Sequence, residues 1–361
     1  MLDSSGPPSS SSPARHHRPT PLPLPQIGYI LLMAVACGAF IVKGYPRLPN
    51  SYLAQYHQVT GTMAMLFAWW TFYKAATVPA GKITASTLAK FSRYAYDDVM
   101  YSAENVCKTC GFEKPARSKH CKVMKACVPK YDHYCIWLNQ AVGAGNYRWF
   151  LLFLLSHVGL LVYGTVASAG VLAGVIDEQQ LWTAKFVNRT TGVRSTASWR
   201  VIFQYLMATE MEVMMVGVLC AIMAVVLIGF FGYHCYLTAQ NLTTNETFKW
   251  NYIIELYYRW VKSHPLAEKE WLQQQKLPKL TEEQQKQKVA LEKALATPPP
   301  KQPPVNMYNR GIWENVREVI WPLHERPASA LPAHAGLLAG SSKPVANEPA
   351  KQSNKSKRKR K

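Results

Sequence analysis

Residues 149–176 read WFLLFLLSHVGLLVYGTVASAGVLAGVI, a run of 28 residues without a charged side chain. At about 1.5 Å of rise per residue, a helix of this length exceeds the roughly 30 Å hydrocarbon layer of a bilayer, even when it is tilted. The chain has 361 residues, 48% of them hydrophobic, and the apolar residues are gathered in runs of this kind rather than spread among charged ones. The run therefore predicts a transmembrane helix.

Three further runs predict three more transmembrane helices. Residues 213–237 carry no charge over 25 positions, residues 27–42 are also uncharged, and no charge falls in residues 48–73. The run at 27–42 is short, as suits a thin bilayer such as that of the endoplasmic reticulum. It could instead be the core of a signal peptide, but no small-residue cleavage site stands out after it. We predict an all-α polytopic membrane protein with four transmembrane helices.

The distribution of basic residues predicts the orientation. The loop between the second and third spans is rich in Lys and Arg, which indicates that it faces the cytosol. An even number of spans then places both the N- and C-termini in the cytosol. Basic residues in the loop between the third and fourth spans oppose this assignment. They are Lys185, Arg189, Arg194 and Arg200.

Cysteine spacing predicts a metal site in the cytosolic loop. Five of the eight cysteines lie within residues 107–135, in a reducing setting where disulfides are rare. Such a cluster indicates metal binding or thiol catalysis. Cys107 and Cys110 form a Cys-x-x-Cys pair, and with His120 and Cys127 they specify one tetrahedral Cys3His zinc site. Zinc would stabilise a loop-rich segment that lacks its own hydrophobic core.

The sequence around this cluster resembles the cysteine-rich domain of the DHHC palmitoyltransferases. Residues 114–121 read KPARSKHC, and residues 132–135 read DHYC. Residues 243–246 read TTNE and resemble the TTxE motif of the family, whereas residues 78–81 read VPAG where the family often has Asp-Pro-Gly. The other residues that match are Trp137, Asn139, Gly143, Asn146 and Phe150 after the tetrad, and Asn306, Tyr308, Gly311 and Asn315 of the C-terminal motif.

This resemblance covers roughly residues 27–325 and implies a protein S-palmitoyltransferase. Cys135 maps to the nucleophile, His133 to the base and Asp132 to the residue that orients the base. A cysteine beside an imidazole reacts as its thiolate. Cys135 would accept palmitate from palmitoyl-CoA as a thioester and pass it to a cysteine of a membrane protein. The duller alternatives are that Cys135 is a structural thiol and that His133 is a packed polar residue.

The chain departs from the family at a second zinc site. The four positions that hold this zinc in the family read Cys121, Met124, Tyr134 and Ala141 here. Three of the four ligands are absent together, and a lone cysteine cannot hold zinc. We therefore predict one structural zinc ion per chain, with Met124, Tyr134 and Ala141 filling the second site by packing. The TTNE residues are expected to brace the catalytic loop against the end of the fourth span.

Two functions of other classes remain open. The first is a catalytically inactive one-zinc membrane adaptor, which the lost second site and Tyr134 would suit. The second is a membrane-anchored zinc module that binds nucleic acid through its basic loop and tail. Nucleic-acid binding is disfavoured, because no aromatic residue for base stacking lies in residues 114–130.

The net charge of +20 fits a donor that brings phosphates to the cytosolic face of the membrane. One or two basic residues of the loop would contact the CoA moiety, and the others anionic lipid head groups. These residues are Lys114, Arg117, Lys119, Lys122, Lys125 and Lys130. Small residues of the third span would leave room for the acyl chain. They are Gly164, Ala167, Ser168 and Gly170.

Further signals concern localisation and partners. Residues 357–361 read KRKRK, which resembles a dilysine retrieval signal and favours the endoplasmic reticulum membrane, although a nuclear-type or lipid-binding tract would look the same. Asn188 begins a glycosylation sequon in the predicted luminal loop. The KPARSKHC run is similar to the fungal branch of the family, which would make membrane proteins with juxtamembrane cysteines, such as SNAREs, the substrates.

The expected domain organisation follows from the spans and motifs together. Residues 266–296 alternate charged and apolar side chains, which predicts a solvated helix against the membrane surface. The Ser- and Pro-rich ends lack core-forming residues. The segments are a disordered tail at 1–25, transmembrane helices 1 and 2 at 26–78, a cytosolic cysteine-rich zinc and catalytic domain at 79–148, transmembrane helices 3 and 4 at 149–237 with a luminal loop at 177–212, a cytosolic C-terminal region at 238–325, and a disordered basic tail at 326–361.

Overall fold

A computed structural model describes residues 23–187, 190–275, 281–296 and 298–330. Most of the predicted N-terminal tail, the sequon residue Asn188, and the basic end at 357–361 lie outside these ranges. In the described ranges the chain is mostly helical, and its strands form three separate two-stranded pairs.

The helices are longest where the sequence lacks charge. They are α1 (Leu24–Ala39), α2 (His57–Thr77), α3 (Leu88–Phe91), α4 (Tyr147–Glu178), α5 (Trp199–Thr209), α6 (Met211–Gln240), α7 (Thr244–Gln275), α8 (Glu282–Leu295) and α9 (Ile312–Ile320). The strands are β1 (Lys119–Cys121), β2 (Ala126–Val128), β3 (His133–Cys135), β4 (Gln140–Val142), β5 (Lys185–Val187) and β6 (Arg194–Thr196). The single helix predicted at 266–296 is divided between α7 and α8.

Three helical stretches of the described chain are long and apolar enough to cross a membrane. They are Leu24–Arg47, which extends α1 through a π-helical and a 3-10 turn, Tyr147–Glu178, and Met211–Gln240. The helix α2 has 21 residues but is not among them, because Lys74 and several hydroxyl and aromatic side chains lower its mean hydropathy. The protein is thus a multi-pass membrane protein, and the fourth span remains a prediction.

The chain forms two compact units. The first comprises the described residues within 1–62, 135–139 and 163–220. Its core is built where the end of α4 meets α5 and the start of α6, and Glu210 forms an ion pair there with Arg47. The buried residues of this core are Val175, Leu181, Ile202, Leu206 and Met214.

Glycines of α4 allow close packing within the first unit. A Cβ atom on Gly170 would lie 2.8 Å from the side chain of Leu53, and one on Gly164 would lie 3.0 Å from Sγ of Cys220. Small residues let neighbouring segments of a membrane protein approach closely. The expectation that Gly164 and Gly170 leave room for an acyl chain is therefore wrong, because the side chains of Leu53 and Cys220 fill that space.

The second unit comprises the described residues within 63–134, 140–162 and 221–361. It contains the β1–β2 hairpin, β4, most of α2, the first half of α4, the second half of α6, and α7–α9. Small apolar clusters hold the loops of this unit. One of these clusters packs Ile83 and Phe91 against Cys107 and Cys127.

Candidate functional site

Four metal-ligand side chains converge in the second unit. Cys107 and Cys110 lie in a tight turn in which the amide of Gly111 donates to the carbonyl of Cys107 at 2.8 Å. Gly111 has a φ of +75°, which only glycine adopts readily. His120 and Cys127 are cross-strand partners in the β1–β2 hairpin. The ligand atoms of the four residues all lie within 4.8 Å of one another, so the group could hold a metal ion.

The separations fit a tetrahedral zinc site. Nδ1 of His120 lies 3.5, 3.3 and 3.9 Å from the Sγ atoms of Cys107, Cys110 and Cys127. Zinc bonds of about 2.3 Å to sulfur and about 2.0 Å to nitrogen place such atoms about 3.5 Å apart. The Sγ atoms of Cys110 and Cys127 are 3.8 Å apart, against about 3.8 Å for two sulfurs in the same geometry. The donor set of three thiols and one imidazole also suits zinc.

The positions of the family's second zinc site lie apart from this cluster. Cys121 and Ala141 are buried with Ala80 and Val128, and Tyr134 packs against them. The side chain of Met124 is 42% exposed and takes no part in this cluster. The prediction that Met124 fills the site is therefore wrong, because it lies in the exposed turn between β1 and β2.

Metal content provides a test with a matched control. We expect Cys127→Ser to lose bound zinc, because only three of the four ligands remain. Without the metal the hairpin is no longer cross-linked, so the melting temperature should fall. Cys121→Ser changes a cysteine six residues away in the apolar cluster, and we expect it to retain the metal. Elemental analysis of both purified variants measures the effect. Loss of zinc from Cys121→Ser, or two zinc ions per wild-type chain, would contradict the one-zinc prediction.

Asp132 and His133 form a hydrogen-bonded pair in the second unit. Oδ2 of Asp132 lies 2.6 Å from Nδ1 of His133. The Asp132 side chain is fully buried, whereas that of His133 is 25% exposed. A carboxylate on Nδ1 fixes the tautomer and makes Nε2 the nitrogen for proton transfer. The ring of Phe150 lies edge to face with that of His133, with 5.1 Å between their centroids.

Thr244 holds the carboxylate of Asp132 from the other side. Its backbone amide donates to Oδ1 at 2.7 Å, and its hydroxyl donates to Oδ2 at 3.0 Å. Burial raises the pKa of Asp132, but the hydrogen bond and charge of His133 and the amide of Thr244 outweigh it. The pKa of Asp132 therefore lies below its ordinary value, and the carboxyl is charged at neutral pH. This contact agrees with the predicted bracing role of the TTNE residues.

The TTNE residues also begin α7. The amide of Glu246 donates to the hydroxyl of Thr243 at 3.1 Å, and the amide of Thr243 donates to the Glu246 carboxylate at 3.0 Å. This reciprocal pair is a capping box, which satisfies two amides at a helix N-terminus. The spacing Thr-Thr-x-Glu thus places Thr244 on Asp132 and directs Glu246 into the protein interior.

Cys135 is the last residue of β3 and is 7% exposed. It belongs to the first unit, whereas Asp132 and His133 belong to the second. His133 and Cys135 are nevertheless the first and last residues of the same strand, β3.

Comparison with known proteins decides the family. The DHHC palmitoyltransferase family matches residues 100–251, which include the metal-ligand cluster and Asp132–Cys135. The palmitoyltransferase SWF1 of Yarrowia lipolytica is 31% identical over 265 residues, 70% of this chain and 67% of that protein. This chain belongs to the DHHC palmitoyltransferase family. The identification made from the sequence motifs is confirmed.

Other DHHC relatives come from animals and fungi. The palmitoyltransferase ZDHHC4 of Rattus norvegicus is 26% identical over 249 residues, 68% of this chain and 62% of that protein. The palmitoyltransferase swf1 of Schizosaccharomyces pombe is 28% identical over 234 residues, 65% of this chain and 61% of that protein. The chain therefore spans about three fifths of the length of these two curated relatives. The SWF1 matches agree with the fungal branch expected from the sequence.

A buried arginine anchors the TTNE segment of this DHHC protein. The side chain of Arg117 is inaccessible to solvent, and its guanidinium makes a bidentate contact with Glu246 at 2.8 and 2.6 Å. It also donates to the side-chain and backbone oxygens of Asn241 at 2.9 and 2.8 Å. The guanidinium carbon lies 5.0 Å from the ring centroid of Tyr94 and 4.6 Å from that of Tyr308. All these contacts tie the KPARSKHC segment to the end of α6 and the start of α7.

Glu318 on α9 extends the network. It accepts hydrogen bonds from Tyr94 at 2.7 Å, from Lys130 at 2.6 Å and from Arg310. Burial raises the pKa of Glu318, but the charges of Lys130 and Arg117 outweigh it and hold the pKa well below its ordinary value. The cations Arg117, Lys130 and Arg310 therefore surround two buried carboxylates. Both carboxylates, those of Glu246 and Glu318, have several partners.

The residues of the C-terminal motif cap α6. Asn306 donates to the carbonyl of Gln240 at 2.7 Å, and Asn315 donates to the carbonyl of Ala239 at 2.8 Å. Carbonyls in the last turn of a helix have no partner within the helix, so the two asparagines satisfy them. Tyr308 donates to the carbonyl of Ala95 at 2.9 Å. The motif thus fixes the chain after α6, next to Thr244.

The network corrects one sequence-based expectation. The expectation that Arg117 and Lys130 face the acyl donor or lipid is wrong, because the buried carboxylates of Glu246 and Glu318 bind them. Lys119, Lys122 and Lys125 are exposed, and their contact with the donor or with lipid stays a prediction. The capping-box pattern could have located Glu246 at the start of a helix, but nothing in the local sequence indicated its partner.

Removing the charge of Glu246 should destabilise the protein strongly. Breaking a buried ion pair by changing one partner costs about 3–5 kcal/mol, because the other charge is left buried. We expect Glu246→Gln to lower the melting temperature in detergent by well over 5 °C. The matched control is Glu255→Gln on the same helix, whose exposed pair with Arg259 contributes about 0.5 kcal/mol or less. Equal melting temperatures for the two variants would contradict this account.

The pKa of Glu246 determines how the loss of stability in Glu246→Gln depends on pH. Burial raises the pKa of Glu246, but the charge and hydrogen bonds of Arg117 outweigh it, so the pKa lies below its ordinary value. Its contribution to stability is therefore complete above the ordinary pKa of about 4.3 and is lost as the pH falls towards the folded pKa. We expect the difference in melting temperature between wild type and Glu246→Gln to be constant from pH 6 to 8.

Proposed function

We propose that this DHHC family member is a protein-cysteine S-palmitoyltransferase that carries the acyl group on Cys135. The observation that supports this most directly is the Asp132–His133 pair, which Thr244 holds two residues before the cysteine. A buried carboxylate that orients an imidazole beside a thiol is the arrangement that nucleophilic catalysis needs. The palmitoyltransferase names of the relatives also favour an enzyme over the inactive adaptor.

The first step forms the acyl-enzyme. His133 takes the proton of Cys135, and the thiolate attacks the carbonyl carbon of the palmitoyl-CoA thioester. The bond from that carbon to the sulfur of CoA breaks, and His133 returns the proton to the departing CoA thiolate. The charged Asp132 stabilises the imidazolium that forms in between. The products are free CoA and a thioester on Cys135.

The second step transfers the acyl group. A cysteine thiol of the protein substrate gives its proton to Nε2 of His133 and attacks the thioester carbon. The bond to Cys135 breaks, and the proton passes to the Cys135 thiolate. No net proton is released in either step, so the same base serves both.

The metal site has a structural role in this proposal. Cys107, Cys110, His120 and Cys127 would hold one zinc ion, which cross-links the hairpin that precedes the catalytic strand. With all four positions taken by protein ligands, the site is closed and suits structure rather than catalysis. Palmitoyl-CoA is the proposed donor.

We also propose the topology and location that the sequence predicts. Helix α2 would be the second of four spans, the domain at 79–148 would be cytosolic, and both termini would face the cytosol. The protein would reside in the endoplasmic reticulum membrane and acylate juxtamembrane cysteines of membrane proteins such as SNAREs. The chain would be divided into the segments that its sequence predicts.

The test is acyl-enzyme formation at a mapped residue. Purified protein in detergent with its zinc is mixed with alkyne-tagged palmitoyl-CoA, and the label is cleaved with neutral hydroxylamine. Trypsin releases residues 131–148, a peptide whose single cysteine is Cys135. We expect label that is hydroxylamine-sensitive, on this peptide, and transferable to an added cysteine peptide. Folded, zinc-bound protein that takes no label would overturn the enzyme proposal in favour of the adaptor.

A further inference from the structure

A buried histidine in α6 is not used by the chemistry described above. The side chain of His234 is fully buried, near the C-terminal end of a membrane-spanning helix. Ionisable residues inside membrane spans are costly and are functional by default. Its Nε2 atom has no hydrogen-bonding partner among the described residues, which adds to that cost. Packing stability alone would be better served by an apolar ring of similar size.

The surroundings of His234 connect it to the catalytic base. Nδ1 of His234 and the hydroxyl of Tyr147 are 3.2 Å apart and share a hydrogen bond. The His234 ring lies edge to face with Phe150, at 5.0 Å between centroids and 80° between planes. Phe150 in turn lies edge to face with His133, and the rings of His133 and His234 are 6.2 Å apart. All of these residues belong to the second unit.

What a histidine adds to this cluster is a polar anchor. A phenylalanine at position 234 would have only packing contacts to set its ring plane, whereas the bond to Tyr147 also holds the plane of the imidazole. The imidazole plane packs against the ring of Phe150. Because Phe150 is only 1% exposed, its ring has no space to move independently of this neighbour. The orientation of Phe150 then limits the ring orientations open to His133.

We propose that Tyr147 and His234 form a positioning pair that, through Phe150, orients the imidazole of His133. The pair is proposed to act through Phe150 and His133, and this role rests on the proposed acyltransferase function. Asp132 holds one end of the His133 ring through its bond to Nδ1. The ring of Phe150 packs against the same imidazole and gives it a second point of contact. Misplacing a catalytic group by about 1 Å can cost on the order of 100-fold in rate, so a partial loss of the contact between Phe150 and His133 should be measurable.

Four variants separate positioning from packing. His234→Phe keeps a ring and removes both nitrogens, Tyr147→Phe removes only the hydroxyl, and a double variant combines them. His234→Asn keeps a polar atom at the place of Nδ1. We expect both single Phe variants to lower kcat for acyl transfer about tenfold, with KM for palmitoyl-CoA unchanged. The double variant should be no slower than His234→Phe, and His234→Asn, whose planar amide keeps the bond to Tyr147 but fills less space than the ring, should recover part of the rate.

The outcomes divide clearly. Tyr236→Phe, which removes a hydroxyl from an exposed side chain two residues along α6, is the matched control and should keep wild-type kcat. Zinc content and melting temperature verify folding, and labelled Cys135 counts the active sites. A wild-type kcat in His234→Phe, or a double variant in which the two losses multiply, would overturn the positioning proposal. An unlabelled wild type would instead reject the proposed function, so the two failures are distinguishable.

Discussion

Cys135→Ser should reduce the hydroxylamine-sensitive label to background. A serine hydroxyl is far less acidic than a thiol and is a weak nucleophile without strong activation. Any ester that did form on serine would also resist neutral hydroxylamine, whereas a thioester is cleaved. The measurement is in-gel fluorescence of the alkyne label before and after hydroxylamine, at equal amounts of folded protein. We also expect no transfer to a cysteine peptide.

The control for this experiment is another cysteine of the chain. Cys235 on α6 is exposed, so it is the cysteine most open to non-enzymatic acylation in detergent. We expect Cys235→Ser to keep the label and the transfer activity of the wild type. A label that persists in Cys135→Ser and disappears in Cys235→Ser would show that the nucleophile has been misassigned.

The membrane helices could be predicted from the sequence because the bilayer imposes a simple requirement. Charge is excluded over the hydrocarbon thickness, so the uncharged runs at 149–176 and 213–237 predicted α4 and α6 to within three residues at each end. α2 is harder to judge, because aromatic and hydroxyl side chains make its composition intermediate between a span and a buried helix.

The metal-ligand cluster could also be predicted, since it is local. A Cys-x-x-Cys turn and a short hairpin bring four ligands together within 21 residues of chain, whatever the rest of the fold does. The exposure of Met124 could not be predicted, because spacing does not show which residues of a hairpin turn outwards.

The charge network around Arg117 depends on distant segments. Its partners Glu246 and Glu318 come from α7 and α9, and their meeting depends on how α6 ends and how the C-terminal motif caps it. A basic residue in a basic loop reads as a surface residue until its partner is known. The position of His234 within an uncharged run was visible in the sequence, but its neighbours Tyr147 and Phe150 were not.

The network explains how the distant motifs of this family serve one carboxylate. Arg117 holds Glu246, Glu246 and Thr243 begin α7, and the first turn of α7 presents Thr244 to Asp132. The C-terminal asparagines fix the residues between α6 and α7 by capping α6. A change in any of these motifs therefore reaches the reaction through the position of Asp132.

Asp132→Asn should leave the fold intact and nearly abolish acyl transfer. Asparagine has the same shape, but it carries no charge to stabilise the imidazolium, and its amide can hold His133 in the wrong tautomer. The same change in a serine protease triad lowers kcat about 10⁴-fold, and by analogy we expect a loss on the order of 10³-fold here. A single-turnover chase of acyl-Cys135 into a cysteine peptide measures the step directly.

Thr244 provides the graded comparison for that loss. Thr244→Val removes only the hydroxyl bond to Asp132 and keeps the backbone amide bond, so we expect a decrease of about tenfold, as for one hydrogen bond to a charged group. Thr244→Ser retains the hydroxyl and should stay within about twofold of the wild type, since the bond to the carboxylate is preserved. Because the pKa of Asp132 lies below its ordinary value, its carboxylate stays charged at mildly acidic pH, and its titration should not limit the rate between pH 6 and 8. If Asp132→Asn transferred as fast as Thr244→Ser, the carboxylate would have no role in the reaction, and His133 would have to act without an orienting partner.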